Sequence, residues 1–233
     1  MTELRVVSYN IRSLRDDPAA VARVVRSLGP DVLCLQEVPR FFGWRRQRRR
    51  LARACGLSIA AGRRACGLAV FTGPRVRRVR REFHLLSKAP GLHRRALAIA
   101  FLEVGGARLI AASTHLDLAD EPRLAHTAEV VDLLDRARRR FGAPVVLTGD
   151  INEEPGGASW TRFAGGFQDA YQVAPSGLEL TFSARDPRRR IDAVFADAEI
   201  EVIACGVPDD EALAADYLLA TDHRPLRAEL RLP

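Results

Sequence analysis

Lysine is all but missing from this chain: Lys88 stands alone among 36 basic side chains, so the other 35 are arginine. A GC-rich coding sequence accounts for that bias as well as a ligand does. Acids are scarce in one region. Residues 38 to 100 hold 16 arginines and Lys88 against a single carboxylate, Glu82, and so carry +16, while the rest of the chain carries −9. Codon usage explains arginine over lysine but not the want of acids, and the asymmetry points to a polyanionic partner for the basic segment. No run reaches the ~18 apolar residues of a membrane-spanning helix. Met1-Thr2-Glu3-Leu4 enters a strand without a charged or apolar leader, so the expected address is cytoplasmic, with no membrane partner. Cys34, Cys55, Cys66 and Cys205 lack Cys-x-x-Cys spacing, which excludes a disulfide framework and a zinc site and leaves reduced, mostly buried thiols. Internal repeats, low-complexity tracts and linkers are missing too, and no obligate protein partner is evident.

The composition that remains, 47% hydrophobic and 28% charged, is globular and excludes general disorder. Residues 1–233 are expected to form a single domain in two lobes. Leu4 to Asn10 is a β-branched-rich strand, and a helix follows from Asp17 to Leu28 with Pro18 in its first turn and Gly29-Pro30 as its stop. Asp31 to Gln36 reads as a strand buried on both faces, and Trp44 to Cys55 as an arginine-rich helix. Strands are predicted over 57–61, 67–71, 76–86, 96–104 and 107–115, with Gly105-Gly106 as a tight hairpin. A charged helix over 121–140 and strands over 144–148, 190–196, 199–205 and 224–232 complete the order. Polar residues at the predicted strand ends divide by chain halves, Asn10, Glu37 and His115 in the first, Asp150, Asp192 and Asp222 in the second. Two sheets packed face to face with helices outside, and a site at one edge of the sandwich, follow from that pattern.

Chemistry concentrates at these polar ends. Leu147-Thr148-Gly149-Asp150-Ile151-Asn152 sets a carboxylate beside an amide where an apolar strand turns, although an Asx-turn accounts for the segment taken alone. Glu37 interrupts a segment otherwise as apolar as a core. A buried carboxylate requires a partner, and a hard divalent cation suits it, the competing account being a strand-end acid facing water or an arginine. Ser113-Thr114-His115 closes a strand with an imidazole, Asp192 lies within Arg190-Ile191-Asp192-Ala193-Val194-Phe195, and His223 follows Asp222. A histidine with acids nearby can be held protonated or oriented toward a phosphate. His84, His93 and His126 lack such motifs and read as surface or structural. Phe41-Phe42-Gly43-Trp44-Arg45-Arg46 interleaves aromatics with arginines, as surfaces that track a phosphate backbone do; an amphipathic helix pinned by Trp44 and Leu51 explains the string equally well.

Taken in order, SYNIR, LQEV, STHLD, TGDIN, RIDAVF and TDHRPL, spanning residues 8 to 226, resemble the endonuclease/exonuclease/phosphatase family, the metal-dependent phosphoesterases that share the pancreatic deoxyribonuclease fold. The resemblance implies an α/β fold, a four-layer α/β/β/α sandwich of two mostly antiparallel sheets. It implies Glu37 as the main Mg²⁺ ligand (Mn²⁺ being an alternative), with Asn10 and Asp222 close to the metal. Asp150, assisted by Asn152, would orient or deprotonate the attacking water; His223 paired with Asp192 would contact the scissile phosphate, and His115 would sit on the same phosphate. Arg12, Arg94 and Arg95 are candidate phosphate contacts. Arg12 and His115 depart from the abasic-site endonuclease pattern, which has an acid and a tyrosine there. They are more similar to the deoxyribonuclease, sphingomyelinase and inositol-phosphatase branches. The glutamate that would support His115 is missing from Arg63-Arg64-Ala65-Cys66-Gly67, which leaves Glu82 as the lobe's only acid. The expectation is a Mg²⁺-dependent phosphodiesterase acting on nucleic acid, DNA above all. A small or lipid-derived phosphoester is the alternative substrate, and a nucleic-acid-binding module with a degenerate site the non-enzymatic one.

Overall fold

The computed structural model describes residues 1–233. Six strands form one sheet in the order β11-β12-β1-β2-β4-β3: β1 (Thr2–Asn10), β2 (Val32–Gln36), β3 (Ser58–Gly62), β4 (Ala69–Thr72), β11 (Glu201–Gly206) and β12 (Leu226–Leu232). The other six, in the order β5-β6-β7-β8-β10-β9, are β5 (Val76–Leu85), β6 (Ala96–Val104), β7 (Ala107–His115), β8 (Val145–Asp150), β9 (Gln168–Asp169) and β10 (Asp192–Ala196). Only β1–β2 and β7–β8 pair parallel, so the sheets are mostly antiparallel, as expected. Helices α1 (Pro18–Leu28), α2 (Trp44–Ala54) and α6 (Glu211–Ala220) flank the first sheet, and α3 (Asp120–Phe141) and α4 (Ala158–Ala164) the second, giving four layers. A short α5 (Ala170–Val173) follows β9.

Two readings of the sequence need correction. The sheets do not divide the chain into halves: β11 and β12 return to pair beside β1. His115 also belongs to the same sheet as Asp150 and Asp192 rather than to that of Asn10. Asp192 opens its strand instead of closing it, because β10 runs antiparallel to β8 and begins where β8 ends. No sequence pattern marks β9, α4, α5 or α6. Helix α6 is apolar on nearly every side, burying Leu213 and Tyr217 while Leu218 and Leu219 remain half exposed, so it shows no helical stripe to read.

A continuous core lies between the sheets and under α1 and α6, and a second lies between the other sheet and α3 and α4. β6 is buried along almost its whole length, as a strand covered on both faces must be. Near the site edge a polar contact crosses the apolar interface: Gln36 Nε2 donates to Ser113 Oγ at 3.0 Å, and that hydroxyl donates to the Leu35 carbonyl at 3.2 Å. Strands β7 and β8 approach so closely at Gly149 that an added Cβ would lie 2.5 Å from the Thr114 carbonyl oxygen. Gly149→Ala is therefore expected to cost about 1–3 kcal/mol through overpacking, read as a lower denaturation midpoint with an unchanged slope.

Candidate active site

Strand register assembles the site. His115 is level with Asp150 across the parallel β7–β8 pair, and Asp150 with Asp192 across β8–β10, so three chemistry-bearing side chains occupy one row. Asn10 is level with Gln36 across β1–β2, which brings Glu37, the next residue, to the same edge of the other sheet. The two groups meet at Asn10, whose Nδ2 donates to Glu37 Oε1 at 3.2 Å and to Asp150 Oδ2 at 3.0 Å. Glu37 itself adopts φ 51°, an uncommon conformation for a residue with a side chain. Its backbone is fixed by Ser13 N, which donates to its carbonyl at 2.6 Å, and by close contact with Gly67, where a Cβ would come within 3.3 Å of the Glu37 Cα. Asn152 is also left-handed, at φ 58°, and its backbone N–H donates to Asp150 Oδ1 at 3.1 Å. Such outliers gather where geometry is held by its surroundings.

His223 Nδ1 donates to Asp192 Oδ2 at 2.8 Å, and its Nε2 lies 3.6 Å from Asp150 Oδ2. The Thr181 hydroxyl oxygen accepts from the backbone N–H groups of both Ile191 and Asp192 at 3.2 Å, which fixes the start of β10. Burial pulls the His223 pKa down, but the charges of Asp192 and Asp150 and the hydrogen bond to Asp192 outweigh it and raise the value to about 10. His115 goes the other way: burial lowers its pKa to about 4, assisted by Arg95 and His223 and opposed by Asp150 at 3.5 Å. Burial, together with the charge of Asp192, raises the Asp150 pKa against the pull of His115, His223 and Asn10. At neutral pH a neutral imidazole, His115, and an imidazolium, His223, thus both stand beside Asp150.

A raised folded-state pKa gives His223 a stability contribution that is complete below the unfolded value of ~6.5 and is lost as pH rises through about 10. Wild-type protein in EDTA should accordingly lose stability relative to His223→Gln by roughly 1 kcal/mol per pH unit between pH 7 and 10. Urea unfolding at several pH values measures this, and a constant difference would contradict a charged His223.

The donor set fits a hard divalent cation. Glu37, Asp150, Asp192 and Asp222 offer carboxylate oxygens, and Asp192 Oδ1 is buried without a hydrogen-bond partner. Asp150, Asp192 and His223 lie within 4.8 Å of one another. A protonated His223, however, is a donor and not a ligand. The oxygens that remain for a cation are the carboxylate oxygens of Glu37, Asp150, Asp192 and Asp222. Oxygen donors of this kind suit Mg²⁺ or Mn²⁺.

An open cleft of about 590 Å³ runs over this row and exposes Glu37, His115, Asp150, Asn152, Asp222 and His223. Of the three arginines singled out by sequence, only Arg94 faces it freely. Arg95 also lines the cleft but is tied to Asp117 at 3.2 Å. Arg12 is turned to Asp222 at 3.3 Å and Asp16 at 3.4 Å, so it neutralises a site carboxylate rather than presenting a free guanidinium. Glu82 does not serve His115; it binds His84 at 3.0 Å, Arg80 at 3.1 Å and Arg140. Arg15, Arg40, Phe182 and Arg189, which no sequence motif marks, also form the cleft wall, together with Phe41 of the aromatic–arginine string. Phe182 stacks on His223 with centroids 4.9 Å apart. His93, read as surface or structural, is an exposed residue of this wall, and only the adjacency of Arg94 hinted at its place.

The family model described as "Endonuclease/Exonuclease/phosphatase family" matches residues 7–223, a span that includes every residue of the row. No curated protein matches the sequence. Among solved structures, an endonuclease/exonuclease/phosphatase from Bacteroides vulgatus is 20% identical over 100% of both chains, with a TM-score of 0.83. A mannosyl-6-phosphatase from Bacteroides thetaiotaomicron is 21% identical over 98% of this chain and 100% of its own, with a TM-score of 0.84. The human Nocturnin catalytic domain, with bound sulfate, is 19% identical over 99% of this chain and 95% of its own, at 0.77. At these identities the likeness is one of fold.

Proposed function

Because the chain belongs to the endonuclease/exonuclease/phosphatase family, whose members hydrolyse phosphate esters and typically depend on a divalent metal, we propose that it is a Mg²⁺-dependent phosphodiesterase of nucleic acid, DNA foremost. The observation that carries this reading is the cleft wall. Arg15, Arg40 and Arg94 line the carboxylate row and form no ion pair, so three free guanidinium groups surround a site that a single phosphate would not fill. Guanidinium groups held around a cleft favour a substrate with several phosphates.

Glu37, Asn10 and Asp222 would hold a divalent cation, which when bound would supply Lewis-acid neutralisation of the phosphoryl oxygens. The remaining work falls to the chain. Asp150, fixed by Asn10 and by the Asn152 backbone, aims and deprotonates the attacking water, and its raised pKa makes it a stronger base than a surface aspartate. The Asn152 side chain acts one step back, since its Nδ2 donates to the Leu116 carbonyl at 3.0 Å. His223, held charged by Asp192, presents a positive donor to charge developing on the phosphoryl group. Neutral His115 adds a second donor from the β7 side of Asp150.

A substrate panel tests the reading: single-stranded DNA, plasmid, RNA, bis-p-nitrophenyl phosphate, mannose 6-phosphate, inositol phosphates and sphingomyelin, each with Mg²⁺ or EDTA. Metal-dependent cleavage of a nucleic acid that weakens steeply with salt is the expected result. Turnover confined to small or lipid phosphoesters would replace the reading with its alternative, and DNA binding without turnover would leave a binding module.

A further inference from the structure

Helix α2 divides sharply between its two faces. Leu51 and Ala52 are buried, Trp44 is half-buried, and Arg48 is drawn inward to donate to the Pro39 and Arg63 carbonyls, each at 2.8 Å. The opposite face carries Arg45, Arg46, Arg49, Arg50 and Arg53, all exposed and none paired with a carboxylate, along an open concavity of about 690 Å³. Arg23, Arg75, Arg77 and Arg231, by contrast, are each paired with an acid. The ridge also begins without a side-chain cap and with no acid in its first turn, so the positive end of the helix adds to the field. Immediately before it, Phe42 is fully exposed and Phe41 is 63% exposed, with Arg40 stacked 5.3 Å from the Phe41 ring. Phe41 also lines the catalytic cleft that holds Glu37.

We propose that the Phe41-Phe42 tip and the arginine ridge of α2 form a docking surface for single-stranded nucleic acid, which stacks an unpaired base on the tip and lays its phosphates along the ridge. The inference rests on the nucleic-acid reading of the site and specifies the form of the substrate. An aromatic face open to solvent stacks an unpaired base, whereas a duplex hides its base faces. Successive arginine pairs are about 6 Å apart along the helix, and Arg45 to Arg53 spans about 12 Å, so the ridge follows several phosphates in turn. A membrane surface suits the ridge poorly, because a helix lying on lipid presents an apolar face outward and the apolar face of α2 is already committed to the core.

The test is equilibrium binding of the full chain carrying Asp150→Asn, with Mg²⁺ present, to fluorescent single-stranded dT20, to a blunt 20-base-pair duplex and to phosphatidylserine vesicles. Phe41→Ser/Phe42→Ser and Arg45→Gln/Arg49→Gln/Arg53→Gln should each weaken dT20 binding on the order of tenfold or more. The arginine variant should also flatten the log–log salt dependence by about 2. If the double phenylalanine variant melts early, Phe42→Ser alone carries the test. Unchanged dT20 affinity, an equal loss on the duplex, or an effect seen only on vesicles overturns the proposal. Failure of the underlying reading looks different: the wild-type chain then cleaves no nucleic acid. Cleavage of nucleic acid by the wild type, with ridge and tip variants cutting single strands equally well, would sink this inference alone.

Discussion

Asp150→Asn should lower kcat on bis-p-nitrophenyl phosphate by about 10³-fold, within the range that a lost general base produces, while the protein remains folded. The geometry argues for so large an effect. Asp150 accepts from Asn10 and from the Asn152 backbone, and both histidines of the row stand within 3.6 Å of it. No other carboxylate occupies the centre of the row, since Asp192 is committed to His223 and Glu37 lies on the opposite sheet. The amide is close in shape, so loss of activity with little change in melting temperature would separate a chemical role from a structural one. A variant retaining a tenth of the wild-type rate would remove Asp150 from the mechanism.

Asp169→Ala should produce the largest loss of stability, about 3–5 kcal/mol, the usual cost of stranding one member of a buried ion pair. Arg190 Nη1 donates to both Asp169 oxygens at 3.0 Å, Trp160 Nε1 donates to the same carboxylate at 3.0 Å, and the Asp169 side chain caps α5 through Tyr171 N. The guanidinium lies between the rings of Trp160 and Tyr171, at 4.8 and 5.0 Å. Removing the carboxylate leaves that buried cation with only the half-exposed Glu179, 3.3 Å from Arg190 Nε, to offset it. The melting temperature should fall on the order of 10 °C. Replacing both partners, as in Asp169→Leu/Arg190→Met, should recover much of the deficit, because no charge is then left alone. Equal deficits in the single and double variants would mean that the pair is not the source of the stability.

What the sequence discloses here depends on whether a residue's neighbours are local. The strands other than β9 and the helices α1, α2 and α3 follow from β-branched runs, proline and glycine punctuation and charge periodicity, and the residues of the row stand out because each interrupts an apolar segment. Their adjacency is another matter. That His115, Asp150 and Asp192 stand level depends on pairings between strands up to 42 residues apart, which no local pattern encodes. Arg12 illustrates the same limit: its partner Asp222 is brought close only when β12 returns beside β1. Arg48 and Arg190 look in sequence like members of solvated arginine runs, yet both are buried, because burial is decided by which helix face or strand end the fold turns inward. Phe41 and Phe42 were legible as aromatics among arginines; their place beside the cleft was not.

Asn10 spans the seam between the two sheets, with Glu37 on its own side and Asp150 on the other. The distance between Glu37 and Asp150 is therefore a distance between two separately hydrogen-bonded sheets, and the side chains packed between them act as its shims. A cavity opened there, for example by Val146→Ala or Leu109→Ala, would alter the reach from Glu37 to Asp150 even though neither residue lines the cleft. In this protein the interior packing doubles as the calibration of the active site.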